Sequence, residues 1–345
     1  MDLKQLIQQA KKEEASEVHL KIGSAPIIRQ RKFLKKMALP AVQPADIEKM
    51  IAATLSADEQ KRFKDGLAYE GNFWGGDPCN YKMNIFRAQG LPFVMIHLLP
   101  SAIPNFEGIQ LPPILNSVVE AKSGLFIFSG PPRSGISTSL AALIERINMT
   151  RSVHMMVVEE QFEFYFQPKK SRITQRQLKK DLMSIEAGIN FAKRMDVDIM
   201  VIGDLKRELP FKNIFDYVNG GHMVILTMQN LGVQNTLEKI VNHFSDTEVD
   251  YIARVLGHDL IGVCSQALLV DQLEQKMIPL HEILMVNPSI RKMLETGKLS
   301  QLENNMKTMD NCFTFEMLIQ KMYRDQKLGR EIGDGFLSWY RGMKG

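Results

Sequence analysis

Cysteine is scarce in this chain: three in 345 residues, Cys79, Cys264 and Cys312, far apart and without a C-x-x-C pair. That leaves neither a disulfide framework nor a zinc ribbon, and it points to a reducing compartment. Long apolar runs are missing too. Stretches such as residues 125–128 and 223–226 fall far short of the ~18 residues that a membrane span needs. The start, MDLKQLIQQAKKEE, lacks the apolar segment of a secretory signal. The expected location is therefore cytoplasmic. An excess of one charge is also absent, since 43 Lys plus Arg stand against 39 Asp plus Glu. The net charge of +4 is too small on this length to imply nucleic acid as a partner.

What is present is enough apolar sequence for two cores. The chain is 45% hydrophobic and 24% charged, which excludes disorder and fibrous repeats and suggests two compact domains. Its 21 methionines are scattered and read as flexible core filler. Residues 2–12 place Leu3, Leu6, Ile7 and Ala10 at helical spacing. Val18, Leu20 and Ile22 alternate with His19 and Lys21 as in a strand. A helix is expected over residues 45–64, then strands over 69–99 around a Gly-Gly-Asp-Pro turn at Gly75 to Pro78. The four prolines of residues 100–113 mark a linker. Beyond it, apolar runs at 125–128, 155–158, 199–202 and 223–226 alternate with helical stretches, the pattern of a parallel sheet whose ligands bind beyond the strands' carboxyl ends. Residues 266–270 and 280–286 suggest a hairpin, and the chain from 289 onward reads as helical.

The first of those runs leads into Gly130-Pro131-Pro132-Arg133-Ser134-Gly135-Ile136-Ser137-Thr138 and then the helical SLAALIERIN. This has the layout of the phosphate-cradling loop G-x-x-x-x-G-K-[ST], in which backbone N–H groups at a helix start hold phosphate, Lys reaches the terminal phosphates and a hydroxyl meets magnesium. Here Ile136 stands in the Lys position. The cradle and hydroxyl still suit a diphosphate, but the developing charge of phosphoryl transfer loses its nearest stabiliser.

Three further segments, Ala15 to Leu20 (ASEVHL), Tyr81 to Phe86 (YKMNIF) and Ser289 to Leu294 (SIRKML), are similar to the ASDLHL, F-R-x-N-x-F and AIRNLI segments of the secretion ATPase superfamily. With the loop, they make the chain resemble most closely the PilT/PilU-type retraction ATPases of type IV pili, over nearly its whole length. Extension-type relatives usually carry a tetracysteine zinc site, which three cysteines cannot build, so no zinc is expected. The resemblance implies a small mixed α+β, PAS-like domain at 1–99, a linker at 100–113, and a RecA-like P-loop NTPase domain at 114–345 with a helical C-terminal part.

Carried over position by position, residues 154–164 (HMMVVEEQFEF) match the family's Asp box, with Glu159 and Glu163 kept, Glu160 for Asp and Gln161 for Pro. Asp198 and the run to Gly203-Asp204 match Walker B, with Asp204 for Glu. The His box keeps Gly221-His222, but Gln229 replaces its second histidine. The resemblance thus implies residual catalytic roles for Glu159, Glu163 and Asp204. It implies ATP or ADP held by residues 130–138 and His222, and magnesium near Ser137 and Asp204. Lys82 and His97 stand where the family places arginines that reach phosphates across a subunit interface, and the Arg-Gly turn is reduced to Gln89-Gly90. Arg87 is not at a family position.

Every charge-neutralising part of phosphoryl transfer is therefore altered. The expectation is a catalytically impaired accessory or regulatory subunit, a homo-hexamer or a hetero-oligomer with a competent PilT-like paralogue, working at the inner-membrane pilus platform protein. Two alternatives stand beside it: a slow but active motor using Arg133 or a repositioned lysine, and a structural ring that binds no nucleotide. The basic cluster Arg29, Arg31, Lys32, Lys35 and Lys36 suits an acidic partner or anionic headgroups. The terminal aromatics Phe336, Trp339 and Tyr340 suit docking on a neighbour or on their own domain.

Overall fold

The computed structural model describes residues 2–30, 33–74, 80–100, 102–203, 209–271 and 276–343. The chain divides into two units, Met1–Ala102 with Phe162–Phe164, and Ile103–Gln161 with Tyr165–Gly345.

The first unit runs α1 (Leu3–Lys12), β1 (Ala15–Lys21), β2 (Ile27–Gln30), β3 (Phe33–Lys36), α2 (Pro44–Thr54), α3 (Ala57–Lys64), β4 (Tyr69–Trp74), β5 (Asn80–Ala88) and β6 (Leu91–Leu98). Asp2 starts α1 by accepting from Gln5 N at 2.9 Å, and Leu6, Ile7 and Ala10 form its buried face. The single helix expected over 45–64 is two. Leu55 and Ser56 are extended, and Ser56 opens α3 with a capping box in which its N–H donates to Glu59 Oε2 at 2.8 Å. The strands form an antiparallel sheet in the order β3-β2-β1-β6-β5-β4. Val18, Leu20, Ile28, Met83, Ile85, Val94 and Ile96 join the helices in one core; the strand period of two leaves Glu17, His19, Arg29, Lys82 and His97 on the other face. The turn expected at Gly75 to Pro78, together with Cys79, Arg31 and Lys32, lies outside the described residues.

The second unit runs α4 (Asn116–Glu120), β7 (Gly124–Ser129), α5 (Ile136–Thr150), β8 (His154–Glu159), β9 (Arg172–Gln177), α6 (Ile185–Arg194), β10 (Ile199–Gly203), α7 (Phe211–Asn219), β11 (Met223–Met228), α8 (Val233–Val241), α9 (Val249–Asp259), β12 (Leu260–Asp271), β13 (Lys276–Met285), α10 (Pro288–Glu295), α11 (Leu302–Met306), β14 (Cys312–Phe313), α12 (Phe315–Arg324) and α13 (Arg330–Gly342). Its sheet has the order β14-β13-β12-β7-β11-β10-β8-β9. The strands from β12 to β9 in that order are parallel, and β13 and β14 add an antiparallel margin. Every residue of β7 and β10 is buried, as apolar runs in a doubly covered parallel sheet require.

The proline-rich stretch is no open spacer beyond Ala102. From Ile103 it belongs to the second unit, where Phe106 and Leu111 are buried and the Arg146 guanidinium lies 5.9 Å from the Phe106 ring centre. The terminal aromatics dock on their own unit. Phe336, Leu337 and Tyr340 of α13 pack with Phe315, Ile319, Ile278 and Leu280, while Trp339 stays half exposed.

Candidate nucleotide site

Parallel pairing brings the carboxyl ends of the central strands to one edge. Ser129 at the end of β7 pairs with Met228 at the end of β11, and Glu159 at the end of β8 pairs with Gly203 at the end of β10. The loop of residues 130–135 leaves that edge for α5. Gly130 N donates to Met228 O at 3.2 Å and Ser134 N to Pro131 O at 3.2 Å. Arg133 and Gly135 take left-handed backbone, with φ of 64° and 85°, which curls the loop into the helix start. The first intrahelical bond is Ser139 N to Gly135 O, so the N–H groups of Ile136, Ser137 and Thr138 have no intrahelical acceptor and carry the positive end of the helix dipole. That is the donor set for an anion. Pro132 and Arg133 are exposed, Ser137 and Thr138 half-buried.

The loop is closely fitted. A Cβ at Gly130 would run into Gln266 O and stand 2.6 Å from Ser134 Oγ and 2.9 Å from Ile136 Cδ1. Only glycine fits there. The Ile136 side chain is thus folded back over the start of the loop, and no cation enters from that position. Ser134 is turned inward, and its buried hydroxyl has no hydrogen-bond partner among the described residues.

Polar residues missed by sequence reasoning brace this edge. Gln266 of β12, almost fully buried, accepts from Ser139 Oγ at 2.7 Å and donates from Nε2 to Ser134 O at 2.7 Å. Thr236 Oγ1 of α8 lies 2.9 Å from Ser129 Oγ. Gly232 N donates to Ser265 Oγ and Val233 N to Glu282 Oε1, both at 2.7 Å. The one sequence signal for these contacts is a run of polar residues, Ser265-Gln266, inside an otherwise apolar strand.

Among the acids carried over from the family pattern, Glu159 is at this edge. A Cβ at Gly203 would stand 2.6 Å from Glu159 Oε1, so glycine makes room for the carboxylate. Asp204 lies outside the described residues. Glu163 is exposed and falls in the short stretch that groups with the first unit.

Within the second unit His222 stands away from the loop edge. It precedes β11, whose Met223 pairs with Gly124 at the amino end of β7; six residue steps separate it from the loop edge, about 20 Å along the strand. There its Nδ1 lies 3.1 Å from Val197 O and its ring stacks on Tyr217 at 4.3 Å. Asp198 sits at the same far edge and accepts from His154 N at 2.8 Å. Both brace strand starts.

In the first unit, cross-strand pairing lines up Arg29, Glu17, His97 and Lys82. Arg29 Nε donates to Glu17 Oε2 at 2.7 Å, and His19 Nε2 lies 3.0 Å from the same oxygen. His97 Nδ1 is 3.6 Å from Glu17 Oε1, and Lys82 Nζ is 2.8 Å from Glu70 Oε1. Burial pushes the His97 imidazole below its ordinary value against the pull of Glu17. Burial also works against the Glu17 carboxylate, but the hydrogen bonds from Arg29 and His19 outweigh it and hold the carboxyl below the usual range. Both residues at the family's arginine positions are thus engaged by acids of their own sheet. Arg29 and Lys35 of the basic cluster are paired as well, Lys35 with Glu13 at 3.2 Å.

Among the described residues no three His, Cys, Asp or Glu side chains are grouped to hold a metal, and no helix is long and apolar enough to cross a membrane. The glycine-lined loop and the first-turn N–H groups fit nucleotide phosphates, and the Ser137 hydroxyl at that turn fits a magnesium ion bound with them. A strand, glycine loop and helix at the carboxyl edge of a parallel sheet define the second unit as a P-loop NTPase fold.

The chain belongs to the Type II/IV secretion system protein family, which matches residues 109–312. It is PilT/PilU-like within that group. It is 26% identical over 308 residues to a twitching motility protein of Neisseria gonorrhoeae, covering 89% of this chain and 82% of the relative. It is 25% identical over 320 residues to the type IV pilus retraction ATPase PilT of Pseudomonas aeruginosa, covering 90% and 93%. A crystal structure of the pilus retraction motor PilT with bound ADP superposes with a TM-score of 0.88 at 26% identity, covering 96% of each chain. The architecture is accordingly the expected one, a small mixed N-terminal domain and a RecA-like ATPase domain.

Proposed function

We propose that this protein is a catalytically impaired PilT-like subunit that keeps the nucleotide cradle and serves a type IV pilus or related motor through its surfaces. The observation that carries the reading is Ile136: its side chain lies back over Gly130, where an ammonium would have to stand to neutralise charge on a transferred phosphoryl. Lys82 and His97 in the first unit support it, because Glu70 and Glu17 already engage them. The loop of residues 130–138 holds ADP or ATP through the backbone N–H groups of Ile136, Ser137 and Thr138, which have no intrahelical acceptor. Magnesium, when bound, neutralises phosphate charge beside the Ser137 hydroxyl. Glu159 keeps a carboxylate at the strand edge to orient water or ion, and Asp204, next along the chain from Gly203, is its companion in the family pattern.

The working form is a hexamer, alone or mixed with a competent paralogue, in the cytoplasm at the inner-membrane platform of the pilus. The solved PilT relative carries ADP, which supports nucleotide as the ligand. Light scattering of the chain alone and mixed with a competent PilT, together with phosphate release, tests the proposal. A ring or mixed oligomer that adds no phosphate release of its own is expected. A strict monomer in both samples, or turnover by the chain alone at a motor's rate, contradicts it.

A further inference from the structure

Gln266 is almost fully buried, and the two ends of its amide are committed to the phosphate loop and to the start of α5. Ser265 pairs with Ser129 across β12 and β7, so the next residue is level with Gly130. The Gln266 side chain leaves the strand on the face opposite Ser265 and enters behind the loop, with only 3% of the residue exposed. Its oxygen takes the Ser139 hydroxyl from the first turn of α5; its nitrogen takes the Ser134 carbonyl from the loop itself. A Cβ on Gly135, at φ 85°, would stand 2.9 Å from the same nitrogen. The loop's two glycines and its inward carbonyl are all shaped around this one residue.

We infer that Gln266 is the positioning residue of the cradle, gripping the loop and the helix start so that the N–H groups of Ile136, Ser137 and Thr138 face a nucleoside diphosphate before any nucleotide arrives. The inference rests on the nucleotide reading above and deepens it: in a loop that runs into Ile136 at the helix start, no ammonium gathers the loop around phosphate, and the conformation is held from the strand behind. An amide is suited to the task because it accepts at one atom and donates at the other. Neither bond survives an apolar replacement of the same length.

The test uses the full chain with ADP and magnesium, following ADP affinity by calorimetry and, without nucleotide, hydrogen exchange of the backbone. Gln266→Met keeps the volume and removes both bonds. The expected result is an ADP affinity lower by about tenfold or more, with faster exchange confined to residues 131–139. Ser139→Ala, which removes one bond from the helix side and spares the strand, is expected to give the same pattern at smaller size and decides the matter where Gln266→Met does not fold. Unchanged affinity and unchanged loop exchange overturn the inference, as does loosening spread evenly through the second unit, which marks a general packing role. If the native chain binds no ADP, the nucleotide reading falls. Loop-confined exchange in Gln266→Met then still upholds the grip, and its absence refutes it.

Discussion

Removing the Tyr340 hydroxyl should measure how firmly the terminal helix is tied to the strand edge. Glu282 of β13 is 2% exposed and sits on two helix starts: Val233 N of α8 donates to Oε1 at 2.7 Å and Phe315 N of α12 to Oε2 at 3.4 Å. Helix N-termini stabilise the buried charge. Tyr340 of α13 completes the group, its hydroxyl 3.2 Å from Oε1 and 3.4 Å from Oε2. Burial and the neighbouring carboxylate push the phenol well above its ordinary value, so it remains a donor. A hydrogen bond to a charged group contributes about 1.5 to 3 kcal/mol; these distances are long for O–H···O, which puts Tyr340→Phe at the lower end, about 1.5 kcal/mol. Glu282→Gln keeps the shape and loses the charge, so the two changes should be non-additive by about 1 kcal/mol in a double-mutant cycle. Urea unfolding at pH 7 followed by Trp339 fluorescence is the assay, because Trp339 lies on the same helix and is half exposed. A Tyr340→Phe effect under about 0.5 kcal/mol, or strict additivity, would refute the reasoning.

Two further outcomes are expected. His281 is buried, and burial lowers its pKa from 6.5 to about 4. Between those values the unfolded chain holds the proton and the folded chain does not, so stability is full above pH 6.5 and falls as pH drops toward 4, by about 2 kcal/mol between pH 8 and pH 5. His281→Phe should flatten that part of the urea-unfolding profile, and an unaltered slope would speak against the buried neutral imidazole. At Gly130 a methyl group meets the Gln266 carbonyl oxygen, a backbone atom that cannot swing aside. Gly130→Ala should cost about 2 kcal/mol or more and lower the melting temperature by roughly 4 to 8 °C along with ADP affinity. Native-like melting and binding would show that the loop is not closely fitted.

The sheet of the second unit was legible because its strands are uninterrupted apolar runs, and the loop because glycine spacing survives on either side of Ile136. β9 was not, since Arg172 to Gln177 reads RITQRQ, a half-exposed edge strand without an apolar run. The break between α2 and α3 is written as Ser56 and Glu59, a capping box inside an otherwise helical stretch. Motif spacing leaves open the end of the strand at which His222 stands. Neighbours in a motif can lie at opposite ends of one strand, and only the pairing of Met223 with Gly124 fixes which end faces the loop. The engagement of Lys82 by Glu70 and the grip of Gln266 on Ser139, 127 residues away, depend on register and tertiary contact that spacing along the chain does not carry.

Whether charge at position 136 governs this protein is best measured by ATP and ADP calorimetry with magnesium, alongside phosphate release, for the native chain and Ile136→Lys. A lysine there restores the ammonium over an otherwise complete cradle, so nucleotide binding should tighten by at least about tenfold while the native chain releases no phosphate. Phosphate release by the native chain at the rate of Ile136→Lys, or a lysine variant that binds no better, would contradict the account.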